Sequence, residues 1–162
     1  MKSLVAIVGL ALGFTAGCDS SGPTVDASGE GKQIAVPTFS IAIRLDKAAE
    51  DKLRGARETI KGAVYFDGDG TPLPGVKTAP HRDVFLGTHE FEIDKPGTIR
   101  IEGATISGQA HSRLSDENYH FTINVFSGRR SFKNNVLDGG IAHGRLRDLV
   151  GEKTVQIHCK LL

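Results

Sequence analysis

Tyr119-His120-Phe121-Thr122-Ile123-Asn124-Val125 is the stretch on which the fold turns. Tyr119, Phe121, Ile123 and Val125 alternate with His120, Thr122 and Asn124, the period of two that sends successive side chains to opposite faces of a strand. The apolar row is aromatic and β-branched, so this strand is expected at the centre of a sheet.

The same period recurs on its N-terminal side. Phe39, Ile41, Ile43 and Leu45 alternate with Ser40, Ala42 and Arg44, and Ile60, Gly62, Val64 and Phe66 oppose Lys61, Ala63 and Tyr65. Gly62 in such a row marks a bulge or a close backbone approach. Residues 84 to 86, 90 to 93 with Phe91 inward, and 98 to 101 read as three short strands set apart by Gly87 and Pro96-Gly97, with 104 to 106 continuing after Gly103. Residues 153 to 162 close the fold as a last strand, with Val155, Ile157, Cys159 and Leu161 on one side.

Between the first two strands, Asp46 is an N-cap ahead of good helix formers, and Gly55 is expected to stop the segment after one or two turns. Leu45, Ala49 and Leu53 would press it onto the edge of the fold. Residues 127 to 144 read as one long polar connection. Seven or eight short strands with turns between them and one short helix after the first strand need two facing sheets to bury their inner rows. The fold class is therefore all-β, an Ig-like or transthyretin-like β-sandwich. Gly68-Asp69-Gly70-Thr71-Pro72-Leu73-Pro74-Gly75-Val76 resembles the strand-linking segment of transthyretin-like and carboxypeptidase-regulatory-like domains.

The chain opens differently. Lys2 precedes an apolar run over residues 4 to 17 that is too short to span a bilayer, which takes about 20 helical residues. Thr15-Ala16-Gly17-Cys18 then resembles the lipobox of bacterial lipoproteins. The resemblance implies cleavage before Cys18 and acylation of that cysteine. The expected organisation is a signal peptide over 1–17, a lipidated flexible tether over 18–36 and a sandwich domain over 37–162. A tether of this length holds the body about 20 to 25 Å from the bilayer. Asp19 resembles an inner-membrane retention signal of enteric bacteria, and which membrane is used is left open.

Removing residues 1 to 17 leaves 145 residues with 19 basic and 19 acidic side chains. That balance, without a basic run, argues against nucleic acid and against an anionic-lipid patch. Membrane attachment therefore rests on Cys18. With Cys18 acylated, Cys159 lacks an intrachain partner and is expected as a buried apolar side chain.

Candidates for chemistry are few. Asp67 and Asp69 in Asp-Gly-Asp-Gly lack the later oxygen ligands of a calcium loop and read as a turn. His81, His89, His111, His120, His143 and His158 show no ligand-like spacing. No Gly-x-Ser-x-Gly elbow, phosphate loop or dinucleotide fingerprint occurs, and no cofactor is expected. The basic cluster Arg129, Arg130, Phe132 and Lys133 is the candidate partner-binding site, because guanidinium forks pair with carboxylates or phosphates.

The expected function is a non-enzymatic lipoprotein of the bacterial envelope, facing the periplasm, that binds or scaffolds another envelope component. A lipidated sandwich resembles in overall plan the outer-membrane lipoprotein of type VI secretion systems. The alternative is a periplasmic ligand or metal carrier using the surface histidines.

Overall fold

A computed structural model of the chain describes residues 31–72, 74–75, 82–151 and 153–162. The signal segment, Cys18, Asp19, the tether up to residue 30, Leu73, Val76 and His81 lie outside the described residues. Within them the fold is an all-β sandwich. The elements are β1 Gln33–Ala35, β2 Phe39–Leu45, α1 Lys47–Ala56, β3 Ile60–Gly68, β4 Val84–Ile93, β5 Gly97–Ile101, β6 Thr105–Ser107, α2 Gly108–His111, β7 His120–Ser127, β8 Leu137–Asp138, β9 Ile141–Arg145 and β10 Thr154–Leu161.

Two four-stranded sheets face each other, ordered β5-β2-β10-β8 and β4-β3-β7-β9, and β1 pairs with β6 in a separate ribbon. Their inner rows meet as the alternation requires. Phe39, Ile41, Ile43, Ile157 and Cys159 of one sheet and Ile60, Val64, Phe66, Phe121, Ile123 and Val125 of the other are all buried. Across the gap the rings of Phe39 and Phe121 stand 6.3 Å apart. The strand over His120–Ser127 lies between β3 and β9, inside its sheet as expected.

Four expectations are corrected. The tether does not extend to residue 36: Gln33–Ala35 pairs antiparallel with Thr105–Ser107, and Val36 is buried. Three paired residues are too few to show a period. Residues 84 to 86 and 90 to 93 belong to one strand, whose register against β3 shifts between Phe66 and Asp67. The bulge lies there, and of the two readings of Gly62 the close approach holds: it admits the Phe91 ring, whose Cζ would lie 2.1 Å from a Cβ at that position. The stretch expected as a connection over 127 to 144 holds β8 and all of β9 but its last residue, and these strands complete the two sheets.

Finally, α1 continues through Gly55 to Ala56 and has ten residues. Glycine costs a helix interior only about 1 kcal/mol, which buried Ala49 and Leu53 and the Asp46 cap on the Ala49 N–H at 2.7 Å offset.

Candidate partner-binding loop

The way α1 ends creates the candidate site. Arg57 adopts a left-handed φ of 55°. Its N–H donates to the Arg54 carbonyl at 3.2 Å, and the Glu58 N–H donates to the Leu53 carbonyl at 2.9 Å. This pair of bonds is a Schellman closure, which satisfies carbonyls the helix would otherwise leave open and reverses the chain. It delivers Glu58, only 3% exposed, beneath the loop that follows β7.

There the Glu58 carboxylate is held by four backbone amides. Oε1 accepts from the N–H groups of Thr59 at 2.9 Å and Arg130 at 3.0 Å. Oε2 accepts from Ser131 at 2.8 Å and Phe132 at 3.0 Å. Burial by itself pushes this carboxyl's pKa up, but the four amide bonds more than offset it and hold the group below its ordinary 4.5. Ser131 Oγ adds a bond to the Ala56 carbonyl at 2.7 Å, joining the loop to the end of α1.

Both ends of the loop are fixed as well. Fully buried Ser127 donates from its N–H to Asn135 Oδ1 at 2.8 Å, and its Oγ accepts from the Val136 N–H at 3.0 Å. The next residue, Gly128, donates to the Thr59 carbonyl at 2.9 Å, and a Cβ on it would fall 1.9 Å from Thr59 Oγ1. Only glycine passes there. Thr59 Oγ1 at 2.5 Å and Arg130 Nε at 2.7 Å both donate to Glu92 Oε1. Arg130 first and then Thr59 hold the Glu92 carboxyl below its usual range.

The four residues of the basic cluster thus divide. The Arg130 side chain is engaged with Glu92, and half-buried Phe132 lies under Lys52, whose Nζ is 5.1 Å from the ring centre. Arg129, left-handed at φ 61°, sets its guanidinium carbon 5.9 Å from the Phe126 ring centre. Lys133 is exposed and makes no hydrogen bond or ion pair among the described residues. Of the cations at this end of the molecule, Arg129, Lys133, Lys52 and Arg57 form no ion pair among the described residues, and all four are exposed. A cavity of about 340 Å³, lined in part by Arg54, Arg57, Glu58 and Lys95, opens next to the clamp.

Glu58, Ser127 and Asn135 carry this architecture, and none of them is among the candidate site residues named from the sequence. The loop also has a defined place on the body. It lies at the Ile60 end of β3, whereas Lys32, bonded through its carbonyl to the Gly108 N–H, sits by α2 near the Gly68 end. Nine strand residues separate these ends by about 27 Å.

Other candidates are dispersed. Among the described residues no three His, Cys, Asp or Glu side chains lie close enough together to hold a metal ion. Cys159 is buried, and burial first, with Asp138 adding to it, pushes its thiol up to about 11. That thiol is not poised as a nucleophile at neutral pH. Asp69 and Asp67 hold Arg82 at 2.8 and 3.7 Å, so the Asp-Gly-Asp-Gly turn is an ion-pair site. No family model, curated protein or solved structure matches the chain.

Proposed function

We propose that this protein is a non-enzymatic bacterial lipoprotein, anchored to a membrane through Cys18, whose sandwich binds another component of the envelope. Its loop over residues 128 to 134 is the contact surface, and it engages an acidic patch of a protein partner. The observation that carries this reading is the Glu58 carboxylate beneath the loop. Three loop amides, those of Arg130, Ser131 and Phe132, bonded to one buried acid fix the loop's shape before any partner arrives, which lowers the ordering cost of association. The clamp also neutralises nothing at the surface, so Arg129 and Lys133 keep their charge for steering and pairing.

The position of the loop supports the same reading. The tether joins the body at the end where Lys32 lies, and the loop is at the other end of β3. A body held by its tethered end presents the loop away from the bilayer. No helix among the described residues is long and apolar enough to cross a membrane, so in this reading attachment falls to the acylated cysteine.

Charge reversal tests the surface without touching the clamp. Arg129→Glu with Lys133→Glu is expected to lower stability by no more than about 1 kcal/mol, since both residues are exposed and only the Arg129 contact with Phe126 is lost. The same variant is expected to lose most of the adduct that wild-type protein gives on chemical crosslinking in its native membrane. Adduct yields equal to wild type would remove this loop as the contact surface.

A further inference from the structure

A second feature lies on the outer face of the β4-β3-β7-β9 sheet, away from the clamped loop. Asp67, Arg82, His120, Thr122, Ile141 and His143 line a cavity of about 470 Å³, within the range of small-molecule sites. Cross-strand register explains why they converge. Asp67 stands opposite His120, and Tyr65 stands opposite Thr122, which in turn faces His143. Ile141, 68% exposed, adds apolar surface to the lining, and Tyr65, 38% exposed, lies beside the pocket opposite Thr122.

The electrostatics define the class of ligand. Arg82 is already matched by Asp69 and Asp67, and Arg145 at the end of the row by Asp116 at 2.9 Å. Among the described residues the pocket therefore has no uncompensated guanidinium for an anion. His120 Nδ1 is buried and has no hydrogen-bond partner among the described residues. Protonating both ring nitrogens would leave a charged N–H sealed without an acceptor, which disfavours the imidazolium. Burial first, then Arg82 and Arg145, lower its pKa in the same direction. The Thr122 hydroxyl and the His143 ring take part in no hydrogen bond among the described residues. Each can both donate and accept, which suits a ligand whose own groups do both.

We propose that this pocket binds a neutral, hydroxyl-rich ligand of one or two sugar rings. Thr122, His143 and the outer N–H groups of Arg82 would bond its hydroxyls, and Tyr65 and Ile141 would cover its apolar ring faces. Backbone-amide NMR of the full-length chain in detergent, titrated separately with N,N′-diacetylchitobiose, maltose and citrate, tests this. At least one saccharide is expected to shift the amides of His120, Thr122 and His143 in a saturable way. Thr122→Val and His143→Ala are each expected to weaken that binding about tenfold, the effect of one hydrogen bond. Both positions are solvent-facing, and an unchanged amide spectrum elsewhere checks the fold. The proposal is overturned if neither saccharide shifts these amides, if citrate alone does, or if both variants bind like wild type.

Discussion

Glu58→Ala is expected to lower stability by about 3 to 4 kcal/mol, because it strips the acceptor from four amides at once, that of Thr59 and three of the closed loop. Glu58→Gln should cost nearly as much. One side-chain oxygen remains for one pair of amides, but the new NH2 group faces the other pair, donor against donor. Urea unfolding of the two variants checks this, and a loss under ~1 kcal/mol for both would mean the clamp contributes little.

The same carboxylate sets a pH dependence. Its folded pKa lies below the ordinary 4.5, so its contribution is fully present above that value and is lost as pH falls through the depressed folded pKa. Wild type is therefore expected to lose stability below about pH 4.5 more steeply than Glu58→Ala. Parallel curves for the two proteins would contradict the assignment.

The second large effect is one of location. If the proposed anchor holds, Cys18→Ser is expected to abolish palmitate incorporation and release the protein from the membrane fraction, since the hold would come from the acyl chains on that cysteine. The folded body should survive, because its described strands and core begin after residue 31. Fractionation with labelled palmitate reads both outcomes. Equal labelling of the serine variant, or a wild type that is soluble and unlabelled, would remove the anchor from the account.

How much of this was legible in the sequence follows from what each feature depends on. Rows such as Phe39-Ile41-Ile43 and Phe121-Ile123-Val125 bury through local alternation, so the strands and the sandwich could be read directly. The parallel pairing of β10 with β2 could not, because Ile157 opposite Ile43 joins distant parts of the chain and leaves no local mark. Ile141, 68% exposed, hid β9, since an edge strand with an exposed apolar residue shows no clean period. Gly55 misled because a helix held by buried Ala49 and Leu53 absorbs one glycine.

The site divides in the same way. The cluster of Arg129, Arg130, Phe132 and Lys133 was visible as composition, yet what each side chain does was not. Arg130 turns to Glu92, across 38 residues, and Glu58 reaches the loop across more than 70. An acid between Arg57 and Thr59 reads as an ordinary surface residue until the Schellman turn places it inside. Tertiary contacts of that range decide which charges remain outward.

A photo-reactive amino acid placed at position 133, and separately at exposed Thr154 at the other end of the opposite sheet, tests the proposed contact surface most directly. Illuminated in its native membrane, the full chain is expected to form one discrete adduct from position 133 and none from position 154. No adduct from 133, or the same adduct from both positions, would contradict the account.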